Sequence, residues 1–135
     1  MRNRMKTAFT LAEIPIVVVI LGILAAIVVP QFTNATQDAQ AGNLKTQIST
    51  LQNQIELYKA RTNDYPDLGT GGWDLLITGD YIKEAPKNPA AKSGFQDVIG
   101  TAASASVGWV YDQTNGTLTA TYFDEATGLI TPETP

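Results

Sequence analysis

The chain has 135 residues, nine basic and thirteen acidic side chains, and a net charge of −4. This length suits one compact domain with an additional segment, and the acidity argues against nucleic-acid binding through a basic patch. Because the sequence contains neither cysteine nor histidine, disulfides, thiolate metal sites and a lipoprotein anchor are excluded, and an enzymatic role is disfavoured.

The first strong pattern is an uncharged apolar block, Ile14–Pro30, that follows a basic start. As a helix the block is at the short end of what crosses a hydrocarbon core of roughly 30 Å, and residues 9–13 extend it to a sufficient length. A soluble core helix normally shows a polar face, whereas this block is apolar all round, which predicts lipid or similar helices as its environment. The basic residues Arg2, Arg4 and Lys6 predict a cytoplasmic N-terminus with the rest of the chain directed outward.

Glu13 lies at the beginning of this apolar block. A carboxylate at bilayer depth costs about 2.5–3.5 kcal/mol on insertion scales, so a buried Glu13 requires a partner. A position at the headgroup boundary, where no partner is needed, is equally compatible with the sequence.

The order of a basic leader, a small residue, Phe-Thr-Leu-x-Glu and a long apolar helix resembles the N-terminal signal of type IV pilins and type II secretion pseudopilins. The resemblance covers about Ala8–Thr36. It implies cleavage by a prepilin peptidase between Ala8 and Phe9, followed by N-methylation of Phe9. It also implies that Glu13 neutralises the Phe9 ammonium of a neighbouring subunit during assembly.

Other residues of the block are similar to this family or depart from it. Gly22 and Pro30 stand where such proteins often carry Gly and Pro, which implies that the helix between them loosens in the filament. Ala8 replaces the more usual Gly before the cleavage point, and Ala12 replaces a larger aliphatic residue. Pro15 removes a backbone N–H, so it should bend or fray the first turn of a helix that starts at Phe9.

An ordinary secretory signal peptide is an alternative, because Ala39-Gln40-Ala41 offers an A-x-A cleavage site. Two observations count against it. The apolar run exceeds the roughly 7–15 residues of a usual signal core, and the A-x-A site lies well beyond Pro30.

The polar stretch after the block carries an apolar stripe with spacings of four, three, four and three. Its members are Leu44, Ile48, Leu51, Ile55 and Tyr58. This period predicts a helix face that packs on a sheet of the same subunit, since two heptads are short for a coiled coil. The predicted helix runs from Phe9 to about Arg61, roughly 53 residues or about 80 Å. No small domain buries that length, so the N-terminal half should extend into a membrane or among other subunits.

The middle of the chain is predicted to be mostly loop. Asn63–Pro66 ends the helix, because Pro66 pushes the preceding residue out of the helical region. Gly69–Gly72 predicts a loose loop, and Trp73–Ile77 predicts one or two helical turns. The segments Gly79–Ile82 and Pro86–Pro89 together resemble the extended pseudopilin connector.

The C-terminal region has strand patterns. Val107–Tyr111 alternates, Asn115-Gly116 is a strong hairpin signal, and Leu118–Phe123 reads as the return strand. Gly128–Ile130 and Phe95–Ile99 are candidates for an edge strand and a first strand. The fold class is therefore α+β and pilin-like, with a long N-terminal helix whose C-terminal half packs on a small antiparallel sheet.

Four oxygen donors near the predicted hairpin raise the question of a metal site: Asp112, Asn115, Asp124 and Glu125. Calcium binds such loops, and the resemblance to major pseudopilins implies a calcium in the C-terminal loop. This chain lacks their acidic, Gly-rich C-terminal run, and acids of this kind commonly form turns in water. We therefore predict no metal and no cofactor.

These patterns predict five segments. They are a leader at 1–8, a membrane and polymerisation half-helix at 9–33, an amphipathic half-helix at 34–62, a loop with a short helix at 63–94, and a sheet with a tail at 95–135. Loss of the leader removes three basic residues and leaves a side-chain charge of −7.

The leading hypothesis is a structural subunit of a type II secretion pseudopilus in the inner membrane, with the globular domain periplasmic. The implied partners are further copies of the chain, the prepilin peptidase, the inner-membrane assembly platform, minor pseudopilins and membrane lipid, without nucleic acid.

A type IV pilus pilin is an alternative, although such pilins usually carry a C-terminal cysteine pair. A minor or tip pseudopilin, or a membrane-anchored binding module that uses a Trp73–Ile82 surface, also remains open. A periplasmic enzyme would need convergent acids, whereas Asp124 and Glu125 would point to opposite faces of a strand.

Overall fold

The structure is a computed structural model that describes residues 10–131, except for the side chains of residues 30, 32 and 33. The predicted cleavage point between Ala8 and Phe9 lies outside the described residues. The chain divides into two compact units, Met1–Thr36 and Gln37–Pro135.

Helix α1 spans Glu13–Thr62 and contains 50 residues. The long helix is confirmed, but the predicted start at Phe9 is wrong, since residues 10–12 are not helical. Pro15 is the third residue of α1, where a missing N–H leaves no helical hydrogen bond unmade. The amide of Ile16 already donates to the carbonyl of Ala12 at 3.5 Å, so the proline fits the first turn and does not fray it.

The C-terminal end of α1 lies where the sequence predicts it. Asn63 adopts a left-handed conformation with φ 66°, and its N–H donates to the carbonyl of Lys59 at 2.7 Å. Asn tolerates this conformation better than most residues, which makes it a common C-terminal helix cap.

The core of the Gln37–Pro135 unit is built on the predicted apolar stripe of α1. Leu44, Ile48, Leu51 and Ile55 are buried, and Tyr58 is half-buried against them. They pack with core residues of the loop and the sheet, namely Leu68, Trp73, Leu76, Trp109, Tyr111, Leu118 and Ala120. The interpretation of the stripe as a face that packs within one subunit is confirmed.

Two short helices follow α1. Helix α2 spans Leu68–Gly71, which corrects the prediction of a loose loop at these glycines. The side chain of Asp67 accepts a hydrogen bond from the amide of Thr70 at 3.1 Å, and this cap forms a turn that the glycines alone do not favour. Helix α3 spans Asp74–Thr78, close to the predicted position.

A three-stranded sheet has the order β1-β2-β3, with β1 at Ile99–Gly100, β2 at Trp109–Asp112 and β3 at Thr117–Ala120. Strands β2 and β3 are antiparallel, with Trp109 opposite Ala120, as the hairpin signal predicts. Strand β1 pairs with β2 in parallel, so the sheet is not wholly antiparallel. Just before β2, the backbone at Gly108 approaches the segment that precedes β1, and a Cβ on Gly108 would lie 2.6 Å from the carbonyl oxygen of Phe95.

The predicted return strand Leu118–Phe123 is interrupted, because Tyr122 adopts φ 63° and turns the chain. The residues beyond it form a separate two-stranded sheet, with β4 at Phe123–Asp124 and β5 at Leu129–Ile130. The predicted edge strand at Gly128–Ile130 therefore pairs with β4 and does not extend the first sheet.

Candidate assembly site

The N-terminal part of α1 exposes its apolar side chains on every face. The twelve large apolar residues between Ile14 and Val29 retain 43–62% of their accessible surface. A helix that is apolar all round is stable only when lipid or protein covers it. This segment is therefore the first candidate for a functional surface.

By length and composition the segment can cross a membrane. An 18-residue window of α1 has a mean hydropathy of 2.6, and α1 is the one such helix in the described part of the chain. The segment is thus a candidate membrane anchor.

The carboxylate of Glu13 has a partner within the same chain. Its Oε2 accepts hydrogen bonds from the backbone N–H of Thr10 at 2.7 Å and from the Thr10 hydroxyl at 2.8 Å. The amide of Glu13 donates in turn to the carbonyl of Thr10 at 3.1 Å. This is the carboxylate half of a capping box. The sequence interpretation missed the role of Thr10, although the Thr-x-x-Glu spacing is the signal that finds it.

Gly22 and Pro30 both lie inside the continuous helix α1. A Cβ on Gly22 would meet no other atom within 4 Å, so packing within the described chain does not require a glycine there. The expected loosening of the helix between Gly22 and Pro30 concerns a filament and stays a prediction.

In the Gln37–Pro135 unit, Gln52 joins α1 to the β2–β3 hairpin. Its Nε2 donates to the carbonyl of Gly116 at 2.6 Å, and its Oε1 accepts from the amide of Leu118 at 3.1 Å. Gly116 has φ 67°, and a Cβ there would overlap the ring of Tyr65. The tip of the β2–β3 hairpin is therefore fixed against both α1 and the loop that follows α1.

A second anchor is Asn88, which is fully buried in the connector. Its Nδ2 donates to the carbonyls of Gly108 and Thr121 at 2.7 and 2.8 Å, and its Oδ1 accepts from the amide of Ala90 at 2.8 Å. The connector forms neither a helix nor a strand at residues 82–90, and the side chain of Asn88, whose role the sequence interpretation did not predict, holds it in place.

No protein-family model and no solved structure matches the chain. Among curated proteins, the type II secretion system core protein G of Vibrio cholerae is 38% identical over 100 residues, which cover 65% of this chain and 68% of the relative. Core protein G of Aeromonas hydrophila is 34% identical over 102 residues, 66% of this chain and 71% of the relative. Core protein G of Escherichia coli K12 is 27% identical over 131 residues, 82% of this chain and 90% of the relative.

The chain belongs to the type II secretion core protein G family. This confirms the predicted resemblance to pseudopilins, and it favours the secretion branch over the pilus branch that the sequence left open. The identification rests on similarity along most of the chain, whereas the N-terminal motif alone is shared more widely.

Two of the four candidate metal donors, Asp112 and Asp124, accept hydrogen bonds within local turns. Asp112 accepts from the amide of Thr114 and from Asn115 Nδ2, both at 2.9 Å. Asp124 accepts from the Thr127 hydroxyl and the Ala126 amide, and these bonds hold the pKa of its carboxyl below the usual value. Across residues 10–131, no group of three or more His, Cys, Asp or Glu side chains could hold a metal. These contacts are typical of turn-forming acids.

The proposed Trp73–Ile82 binding surface is not one surface in this member of the family. Trp73 is only 5% exposed, its indole N–H donates to the carbonyl of Asp97 at 2.7 Å, and its ring packs edge-on against Trp109 at 6.0 Å. Tyr81 and Ile82 instead line an open cleft of about 650 Å³ beside α1. The tryptophan is therefore a core residue and is not available to a ligand.

Proposed function

We propose that the chain is a structural subunit of a type II secretion pseudopilus, with no catalytic role. The observation that carries the proposal is the exposure of all twelve large apolar side chains from Ile14 to Val29 in a member of the core protein G family. Burial of one such side chain is worth about 1.5–3 kcal/mol. Their sum strongly favours a membrane before assembly and neighbouring helices after it.

In this proposal residues 1–8 hold the N-terminus in the cytoplasm until a prepilin peptidase cuts between Ala8 and Phe9 and Phe9 is methylated. Residues 9–33 then anchor the subunit in the inner membrane, and the parts at 34–62, 63–94 and 95–135 lie on the periplasmic side. Assembly moves the anchor from lipid into a bundle of identical helices. An inner-membrane assembly platform and minor pseudopilins are the further partners.

Glu13 is the proposed assembly residue. A carboxylate offers about four acceptor positions, so the two bonds from Thr10 to Oε2 leave capacity for the Phe9 ammonium of a neighbouring copy. Thr10 would stabilise the acid before assembly, and the ammonium would add a charge-assisted bond in the filament.

The variants Glu13→Gln and Glu13→Ala test this proposal together. Glu13→Gln keeps a side-chain oxygen for Thr10 but removes the charge, whereas Glu13→Ala removes both. We expect both variants to be cleaved and folded but absent from sheared filament fractions, because each lacks the charge that pairs with Phe9. Normal filaments from Glu13→Gln would contradict the charge pairing.

Mass spectrometry of the mature N-terminus tests the processing step. We expect a chain that begins with methylated Phe9. A chain that begins at Gly42 would instead show an ordinary signal peptide and would contradict the proposal. Recovery of only trace amounts beside an abundant second pilin-like protein would show a minor or tip subunit.

A further inference from the structure

The described part of the chain begins with a short segment that does not belong to α1. Residues 10–12 are not helical, and α1 begins at Glu13. From that residue onward the apolar block is helical without a break. The beginning of α1 therefore separates a non-helical segment from an apolar helix.

Pro15 explains why α1 does not begin earlier. In a longer helix the carbonyl of Leu11 would accept a hydrogen bond from residue 15, but proline has no N–H, and its ring would collide with that carbonyl. As the third residue of α1, Pro15 stands where the helix needs no donor. The amide of Ile16 makes the first bond of the helical type, to the carbonyl of Ala12 at 3.5 Å. The helix therefore cannot extend over residues 10–12 without losing a bond and creating a clash.

The non-helical segment carries polar groups that hydrocarbon does not tolerate. The carbonyl of Leu11 accepts no hydrogen bond from any of residues 10–131. The carboxylate of Glu13 is satisfied only by the amide and hydroxyl of Thr10. An unpaired backbone group and a carboxylate are both costly in a hydrocarbon core, whereas water at the membrane surface offers partners to each of them. Residues 10–13 therefore favour the boundary between membrane and water.

Two positions of the chain in a membrane can be compared. A span that begins at Phe9 would have sufficient length, but it would place Glu13 and the non-helical segment inside the hydrocarbon. A span over Ile14–Val29 leaves both outside and is roughly 24 Å long, which is shorter than a core of roughly 30 Å. A bilayer adapts to a short span by thinning locally at a modest cost. The second position is favoured, because this mismatch costs less than burying an acid together with unpaired backbone groups.

We propose that Pro15 sets the depth of the unassembled chain in the membrane. The hydrocarbon begins at Ile14, and residues 10–12 lie in the headgroup layer together with the Glu13 carboxylate. This inference rests on the proposed pseudopilus function and specifies how its anchor, residues 9–33, is placed. In this arrangement Pro15 is a positioning residue, and Glu13 is reachable from the water on the cytoplasmic side.

Single-cysteine variants of the full-length chain measure this depth, because the natural sequence contains no cysteine. Leu11→Cys and Ala12→Cys probe the non-helical segment. Asn3→Cys is the reference for water, and Val19→Cys is the reference for hydrocarbon. Each variant is expressed without the peptidase and the assembly machinery. Inverted inner-membrane vesicles are then treated with a membrane-impermeant maleimide, which requires a thiolate in contact with water.

We expect Leu11→Cys and Ala12→Cys to react at nearly the Asn3→Cys rate and about tenfold faster than Val19→Cys, because they lie outside the hydrocarbon. A second substitution, Pro15→Ala, supplies the missing N–H and lets α1 extend over residues 10–12. Labelling at both probe positions should then fall about fivefold, since a helical segment can enter hydrocarbon.

Pro15→Leu should have the same effect as Pro15→Ala, because it also restores the N–H. The matched control is Val17→Ala, which shortens an apolar side chain one helical step further on but changes no backbone donor. It should leave both labelling rates unchanged. Resistance of the globular unit to trypsin in detergent shows that each variant is folded.

Labelling of Leu11→Cys and Ala12→Cys at the slow Val19→Cys rate would overturn the headgroup position. Unchanged labelling after both Pro15→Ala and Pro15→Leu would overturn the role of Pro15. A different result would contradict the proposed function itself: Val19→Cys that reacts as fast as Asn3→Cys would show that the apolar segment does not enter the membrane.

Discussion

The two halves of α1 have the same backbone conformation but opposite surroundings. Between Ile14 and Val29 all twelve large apolar side chains are exposed on every face of the helix, whereas Leu44, Ile48, Leu51 and Ile55 form one buried stripe further along it. The two halves differ in how apolar residues are spaced along the sequence, and not in their helical backbone. An apolar side chain of α1 therefore stabilises the fold in one half, whereas in the other half it is left for the membrane or helix contacts of the proposed function.

A Leu→Ala substitution in each half should give the largest difference in the free energy of unfolding. We expect Leu44→Ala to reduce the free energy of unfolding of the globular unit by about 2–5 kcal/mol, because it leaves a cavity in the core. Leu24→Ala should leave that free energy unchanged, since Leu24 is 52% exposed and Leu44 is 0% exposed. Urea unfolding of both variants in detergent, followed by tryptophan fluorescence, measures the two values. Equal losses of unfolding free energy in the two variants would contradict this difference between the halves of α1.

A charge placed in the N-terminal half should give the converse result. Val19→Arg adds about 2.5–3.5 kcal/mol to membrane insertion of the segment, and it should leave unfolding of the globular unit unaffected. Fractionation measures the share of the chain in the membrane. The control is Val19→Leu, which should remain membrane-bound, and full retention of Val19→Arg would contradict the role of the segment as an anchor.

Asn88 should show how much of the globular unit depends on one polar group. Asn88→Ala leaves the carbonyls of Gly108 and Thr121 without their donor, and we expect a loss of about 1–3 kcal/mol in unfolding free energy. Asn88→Asp keeps the acceptor for Ala90 but removes the donor, so it should be nearly as unstable at neutral pH. Thermal unfolding by circular dichroism compares the variants, and a stable Asn88→Asp protein would show that the donor is dispensable.

The smallest effect is expected at Tyr111. Its pKa is raised by burial to about 12, from about 10 in the unfolded chain. The contribution of the neutral Tyr111 hydroxyl to the free energy of unfolding is therefore fully present below about pH 10, and it is lost as the pH rises from about 10 to 12. We expect Tyr111→Phe to be close to wild type at pH 7, because the hydroxyl has no partner, and to lose less stability at alkaline pH. Chemical unfolding at pH 7 and pH 11 tests this, and an identical alkaline loss in both proteins would contradict it.

The sequence predicts the parts of the fold that depend on local periodicity. Spacing and turn chemistry predict the stripe of α1, the end of α1 before Pro66, the hairpin at Asn115-Gly116 and the short helix near Trp73. The apolar segment and Glu13 were singled out for the same reason, although no contact in the described residues tests the assembly and processing roles of Phe9, Glu13, Gly22 and Pro30.

Features that depend on distant contacts were not predictable. The parallel pairing of β1 with β2 and the separate β4–β5 sheet result from long-range packing and from the left-handed turn at Tyr122. Asn88 and Gln52 are single polar residues whose side-chain partners, apart from Ala90, are 20 to 66 positions away in the sequence. Their positions in the sequence carry no periodic pattern, so only the three-dimensional structure reveals them.

Gln52 has a consequence for a chain that, in the proposed function, packs beside further copies of itself. Strand β3 lies at the edge of its sheet, and an open edge invites pairing with strands from other copies, which leads to disordered aggregates. The amide of Gln52 bonds both to the amide of Leu118 in β3 and to the carbonyl of Gly116 just before it, as a neighbouring strand would. We therefore expect this glutamine to hinder irregular cross-β pairing at the β3 edge.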